Sequence, residues 1–241
     1  MNVTVARLTA SSVLGRRRAL ALLALPALLV AFAVLVRALA GTDDDLAGDL
    51  LGVFALGTLM PLIGLLAGTG AIGPEIDDGS IIYLLAKPIR RSSIILSKLA
   101  VAAGTAVAMG AIPVLLAGVL LSGELGRVAI AFTIGALAAS LAYVALFLAL
   151  GVVTRSGVIV GLLYALVWES LIGSIVPGAK ALSIQQWSLS IVEAVLGDAS
   201  SVGVEAAVEL RTGLVALIAI TVLSTVWATR RLARLHLTDR E

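Results

Sequence analysis

Residues 128–154 read VAIAFTIGALAASLAYVALFLALGVVT, an uncharged run of 27 residues between Arg127 and Arg155. A helix rises about 1.5 Å per residue, so ~20 residues are enough to cross a hydrocarbon core of roughly 30 Å. The run is continuously apolar, whereas a strand facing lipid would alternate apolar and polar residues. The sequence therefore predicts a transmembrane helix here.

The whole chain has the composition that such helices require. Of its 241 residues, 60% are hydrophobic and 13% are charged, and the mean hydropathy is +1.12. A soluble domain is about half apolar and about a quarter charged. Similar uncharged runs recur along the chain, so we predict an all-α, polytopic integral membrane protein with six transmembrane helices.

The charged breaks divide residues 1–241 into the parts of a single transmembrane domain. The predicted spans are 19–40, 50–73, 99–122, 128–154, 156–176 and 212–229. Around them we predict an interfacial N-terminal segment 1–18, a long connection 74–98, a helical connection 177–210 and a tail 230–241. A disordered tail is the alternative for 1–18. A cleaved signal peptide is the alternative for the first span, although its apolar run exceeds the usual ~7–15 residues.

Lysine and arginine fall mainly on one side of these six spans, which holds Arg7, Arg16, Arg17, Arg18, Lys87, Arg90, Arg91, Lys98, Arg155, Arg230, Arg231, Arg234 and Arg240. The other side holds Arg37, Arg127, Lys180 and Arg211, together with nine of the 15 acids. Cytoplasmic loops carry the excess of basic residues. We therefore expect a multi-pass protein of the cell membrane with both termini in the cytoplasm. A basic rim beside anionic lipid explains the basic balance, so we expect membrane lipid and no nucleic acid as partner.

Groups that carry catalysis are scarce. The chain has one histidine, His236, and no cysteine. None of its lysines follows a glycine, which excludes the Gly-Lys-Ser/Thr loop that binds nucleotide phosphates. We therefore expect no enzyme activity, and no cofactor or metal, in this chain.

The most informative polar segment is the connection 74–98, PEIDDGSIIYLLAKPIRRSSIILSK. Three acids precede four bases, and a compact apolar cluster lies between them at 81–86. Such a cluster at a membrane surface indicates a binding partner. The alternative is that the acids only stabilise a helix N-terminus, worth about 0.3–1 kcal/mol each.

This segment resembles the first cytoplasmic loop of the ABC type-2 permease family, the membrane subunits of many ATP-binding-cassette exporters. The matching residues are Glu75, Gly79, Ser80, Leu84, Leu85, Pro88, Arg90, Arg91 and Lys98. The resemblance implies a coupling helix that docks into a groove on a separate cytoplasmic ATPase subunit, which binds ATP and Mg. It also implies pairing with a second permease copy or a homologous permease, and a lipidic or amphipathic substrate.

The resemblance also implies roles for individual residues. Glu75, Asp77 and Asp78 would meet basic groups on the ATPase. Ile81, Tyr83 and Leu84 would fill its groove, while Gly79, Pro88, Arg90 and Arg91 complete the coupling set. The alternative function is an ion-gradient-driven secondary transporter, which normally needs several ionisable groups within the membrane. A membrane enzyme or a scaffold is a third possibility.

Glu169 is the one ionisable residue well inside a predicted span, about 20 Å along the helix from Ser156. A carboxylate at such depth usually faces protein or water. It either lies on a substrate path or ties the fifth span to the outer connection, with Gln185 or Gln186 as partner.

In the outer connection 177–210, apolar residues at helical spacing predict a helix lying at the outer face, with Trp187 at the membrane interface.

Overall fold

The computed structural model describes residues 3–13, 15–81, 90–154, 156–172, 178–197 and 202–234. All regular structure within these ranges is helical. The helices are α1 (Val3–Val13), α2 (Arg16–Ala40), α3 (Asp44–Asp49, continued by Leu50–Leu59 and Met60–Gly70), α4 (Arg91–Ala106, continued by Val107–Ala111 and Ile112–Ser122), α5 (Arg127–Val153), α6 (Gly157–Leu163, continued by Tyr164–Ile172), α7 (Ile184–Leu196) and α8 (Leu210–Arg234). Two short helices, Gly73–Asp77 and Lys180–Leu182, lie after α3 and before α7.

Five of these helices, α2, α3, α4, α5 and α8, are long and apolar enough to cross a membrane. The predicted all-helical, multi-pass fold is therefore confirmed. The fifth predicted span, 156–176, stays a prediction. Within the described residues, α6 is apolar but shorter than the other five helices.

The helix bundle has two ends, and the charged residues at one end are mainly acidic while those at the other are mainly basic. Helices α3 and α5 run in the same direction, because Gly64 faces Tyr143 while Gly151 faces Ile72. We call the end with residues 40–49, 122–127, 196–197 and 202–210 the acidic end. The end with residues 15–18, 70–81, 90–98 and 230–234 is the basic end.

Helix α5 is the centre of the bundle and packs against α3, α4, α7 and α8. Its side chains Phe132, Tyr143 and Phe147 are fully buried. Small residues bring α3 against it: a Cβ atom on Gly68 would lie 2.9 Å from the backbone nitrogen of Leu148. In lipid, where there is little hydrophobic drive to pair helices, this close backbone approach provides the packing.

Helices α3 and α4 each change from π to α geometry next to a proline. The π-helix Leu50–Leu59 ends where Pro61 begins the next α-helical turn, and Val107–Ala111 ends before Pro113. Proline lacks an N–H and its ring crowds the preceding turn, so a locally wider helix is a usual accommodation. The two changes are neighbours in space, because a Cβ atom on Gly110 would lie 2.7 Å from the Met60 sulfur.

Helix α7 occupies the predicted outer connection, but most of its length is buried rather than lying on a surface. Its residues Ile184, Ser188, Leu189, Ser190, Ile191, Val192 and Leu196 are buried. It packs against α3, α5 and α8. Gln185 reaches Gly57 in α3, while Val202, beyond the end of α7, reaches Gly48. Helix α7 therefore runs from the interior of the bundle towards the acidic end.

Helix α1 lies along the basic end. Val5, Thr9 and Val13 are buried, and the helix packs against α4 and the end of α3. The Ser12 hydroxyl donates to the Gly70 carbonyl at 3.0 Å. The N-terminal segment is thus a helix held against the bundle.

Candidate functional site

The predicted coupling region begins where α3 ends at the basic end. Residues 71–72 form a turn, and the short helix Gly73–Asp77 follows. Gly79 has φ +70, a left-handed backbone conformation that glycine adopts without strain. This glycine turns the chain so that the exposed Ser80 hydroxyl donates to the Glu75 carbonyl at 3.4 Å. Ile81, the last described residue before the gap, is only 8% exposed.

Lys98 joins this region to α4. Its Nζ donates to the Glu75 Oε1 atom at 2.7 Å and to the Ala71 carbonyl at 2.6 Å. The lysine side chain is 0% exposed and the Glu75 side chain 20% exposed. Ala71 follows the last residue of α3, where helix carbonyls lack intrahelical partners. A cation at a helix C-terminus satisfies such a carbonyl and interacts favourably with the helix dipole.

The remaining coupling candidates have different environments. Asp78 and Arg90 are exposed, whereas Arg91 is half-buried at the start of α4. Asp77 ends the short helix after α3. Tyr83, Leu84 and Pro88 lie outside the described residues. Of the predicted set, the structure thus brings Glu75 inward to Lys98 and leaves Asp78 and Arg90 facing outward.

Glu169 on α6 is a buried acid, 3% exposed. Its Oε1 atom accepts from the Tyr164 hydroxyl at 2.9 Å and from the Ile184 backbone N–H at 3.1 Å. Its Oε2 atom accepts from the Ser183 hydroxyl. The carboxylate thus lies at the N-terminus of α7, where negative charge is favourable. It satisfies one of the backbone donors that the first turn of a helix leaves unpaired.

The N-terminus of α7 has further polar contacts inside the bundle. Gln185 donates through Nε2 to the Gly52 carbonyl of α3 at 2.9 Å. The fully buried Tyr143 of α5 lies beside Glu169 in the same region. Farther along α7, Gln186 and Glu193 accept from the backbone N–H groups of Ala207 and Ala206. Helix α7 is therefore tied to α3, to α6 and to the segment 202–209 by side-chain hydrogen bonds.

Sequence reasoning missed several of these partners. Lys98 was identified only as the last matching residue of segment 74–98. A single lysine at the start of an apolar helix is nevertheless itself a signal for a buried ion pair. Ser183 and Tyr164 were not singled out. The expected partners of Glu169, Gln185 and Gln186, bond elsewhere. No group of three or more His, Asp or Glu side chains suited to a metal ion occurs in the described ranges.

Comparison with known proteins gives one family match. The family model described as ABC-2 family transporter protein matches residues 14–179. The matched range extends from just before α2 to just before α7, and it includes Glu75, Lys98 and Glu169. No curated protein matches the chain.

Proposed function

The chain belongs to the ABC-2 family of transporter proteins, and from this premise we propose that it is the membrane-spanning subunit of an ATP-driven exporter. The resemblance found in segment 74–98 agrees with the family match. The chain is thus a membrane permease of the ABC type and not the ATPase itself. An ion-gradient-driven transporter is not favoured, because the family supports ATP as the source of energy.

In this proposal, segment 74–98 couples a separate cytoplasmic ATPase to the transmembrane helices. The observation that carries it is the placement of charge at the end of α3. Asp78 and Arg90 are exposed, while Glu75 and Lys98 join the base of the segment to α4. Exposed charges steer docking, and a few apolar anchors contribute most of its energy. We assign the steering to Asp77 and Asp78 and the apolar contacts to Tyr83 and Leu84, because Ile81 is buried within this chain.

The remaining features of the proposal follow from the family and from the charge pattern. The basic end faces the cytoplasm, with both termini there. The two shorter helices α6 and α7 together make the fifth of six crossings, and α8 makes the last. The permease pairs with a second copy or a homologue and binds two ATPase subunits that hold ATP and Mg. A lipidic or amphipathic molecule is the proposed substrate.

Charge reversal tests the ATPase contact. We expect the double variant Asp77→Lys/Asp78→Lys to lose a co-purifying ATPase subunit, because reversed charges meet the same basic groups with repulsion. The candidate ATPase is one encoded beside this chain and carrying a Gly-Lys-Ser/Thr loop. The measurement is the ratio of ATPase to permease after affinity purification from membranes.

The matched control is Asp44→Lys/Asp45→Lys, an exposed pair of adjacent acids at the acidic end. Its ATPase ratio should equal that of the unmodified protein. Equal retention of the ATPase by both double variants would contradict the assignment of Asp77 and Asp78. If the unmodified protein retains no ATPase and transport follows a proton or sodium gradient, the ATP-driven function itself is wrong.

A further inference from the structure

We propose that Lys98 is a positioning residue that makes the end of α3, the short helix Gly73–Asp77 and α4 move as one unit. The inference rests on the proposed function, because it specifies how a displacement made by the ATPase reaches the helices. It gives Glu75 an intramolecular partner in place of the expected partner on the ATPase. Lys98 and Ala71 are not among the predicted coupling residues.

The first step is that one cation joins three parts of the chain. Lys98 extends from α4, the Ala71 carbonyl belongs to the turn after α3, and Glu75 belongs to the short helix Gly73–Asp77. The lysine side chain is 0% exposed, so its ammonium group is shielded from solvent. Moving the short helix away from α4 would leave a buried ammonium group without its counter-charge, which is strongly unfavourable.

The second step is that stability alone does not account for a buried ion pair. The cost of removing two charges from water often offsets their attraction, and apolar side chains of similar volume serve as well. The best-attested use of a buried ion pair is to fix the register of the elements it joins. Here the neighbours Ile94, Ile95 and Leu99 are buried apolar residues. A charged side chain among them is therefore better explained by a role in fixing the register of α3 and α4 than by stability.

The third step concerns what surrounds the pair. The carbonyls of Gly70 and Ala71 each accept a hydrogen bond from a side chain of another helix, Ser12 of α1 and Lys98 of α4. Towards the acidic end, α3 is a regular α-helix only as far as Met60, and α4 only as far as Ala106. The π segments that follow are neighbours in space, since Gly110 lies against Met60. The unit joined by Lys98 therefore has defined limits in both helices.

The test uses the absence of cysteine from the chain, which lets two introduced cysteines carry spin labels without background. The exposed residues Ser80 and Ser92 are changed to Cys, and the distance between the labels is measured by pulsed electron paramagnetic resonance in lipid nanodiscs. We expect one narrow distance distribution in the parent. We expect a distribution about twice as wide in Lys98→Met, because residues 71–80 are no longer held to α4.

The control is Lys180→Met, which removes an exposed lysine at a distance from the pair and should leave the distribution unchanged. Glu75→Gln is the second variant, since it removes the counter-charge but keeps an acceptor oxygen for Lys98. We expect it to broaden the distribution in the same direction and by less. A distribution in Lys98→Met and in Glu75→Gln as narrow as in the parent would overturn the proposal.

The role in transmission has its own measurement, made on the complex with the co-purified ATPase. A fluorophore on Leu125→Cys, 64% exposed at the acidic end, reports on the far end of α4. We expect ATP with Mg to change its fluorescence. In Lys98→Met that change should fall about fivefold or more while the rate of ATP hydrolysis per complex is kept.

A merely structural role would lower the rate of ATP hydrolysis per complex and the fluorescence change to the same extent, and this result would overturn the proposal. The two proposals fail separately. If no ATPase is bound, the proposed function fails, and the spin-label distances in the permease alone still decide whether Lys98 holds the segment to α4.

Discussion

Glu169 accepts hydrogen bonds from three donors, and its removal affects all of them. Glu169→Ala leaves the Tyr164 hydroxyl, the Ser183 hydroxyl and the Ile184 N–H without this acceptor. Because each unsatisfied buried donor costs about 1–3 kcal/mol, we expect a loss in unfolding free energy on the order of 3 kcal/mol or more. Glu169→Gln keeps an acceptor oxygen and should lose about 1 kcal/mol. Thermal unfolding of the purified protein measures both.

Glu205→Ala is the control for this pair of variants, because Glu205 is exposed near the acidic end. Its unfolding temperature should match that of the parent.

The variants Glu169→Ala and Glu169→Gln also separate the two hypotheses for Glu169. Lowered stability with intact transport in Glu169→Gln supports a tie between α6 and α7. Intact stability with lost transport contradicts that tie and favours a residue on the substrate path.

At the scale of single residues, the sequence identified important residues but not the residues they contact. It marked both Glu75 and Lys98 as parts of one pattern, but the expected partner of Glu75 was another protein. The two residues are 23 positions apart in sequence. They meet only because α3 and α4 pack side by side and run in opposite directions. No local pattern contains that information, since the contact depends on how the two helices pack.

At the scale of the helices, the contact between α3 and α5 depends on Gly68. In Gly68→Ala, the new Cβ would lie 2.9 Å from the Leu148 nitrogen and from the Val144 carbonyl oxygen. These are backbone atoms, which cannot move aside as a flexible side chain can. Overpacking of this kind costs about 1–3 kcal/mol. We expect a correspondingly lower unfolding temperature, measured by differential scanning fluorimetry in detergent micelles.

Gly104→Ala is the matched control, because Gly104 is also helical and a Cβ there would meet nothing within 4 Å. Alanine is the better helix former by about 1 kcal/mol in water, so this variant should be as stable as the parent or more so. If Gly68→Ala proves as stable as Gly104→Ala, the close packing of α3 on α5 is not as the structure places it.

The positions of the helices were largely predictable from uncharged runs, but their surroundings were not. Hydropathy cannot distinguish a helix that faces lipid from one that faces protein, since both are apolar. This is why α7 was expected at a surface and is found packed among α3, α5 and α8. The changes to π geometry in α3, α4 and α6 were not predicted either.

At the scale of the whole molecule, the proposed orientation can be tested with single cysteines, again because the parent has none. Leu125 lies at the acidic end and Ser80 at the basic end, and both are exposed. In intact cells, we expect a membrane-impermeant maleimide to label Leu125→Cys. It should label Ser80→Cys only after the membrane is permeabilised, because the basic end faces the cytoplasm.

The cysteine-free parent is the control and should remain unlabelled under both conditions. The reverse pattern, with Ser80→Cys labelled in intact cells, would place the basic end outside. That result would contradict the topology and, with it, the access of a cytoplasmic ATPase to segment 74–98.

The close packing of α7 on α8 has a consequence for how the protein is made. A Cβ atom on Gly213 of α8 would overlap the Ser190 hydroxyl of α7, so the two helices leave no room for lipid between them. Helix α7 has 13 residues, too few to be inserted as a span of its own, which needs about 20. The ribosome completes α8 after α7. Helix α7 therefore reaches its final position only once α8 has entered the bilayer, and a chain stalled before α8 should present α7 to the quality-control proteases of the membrane.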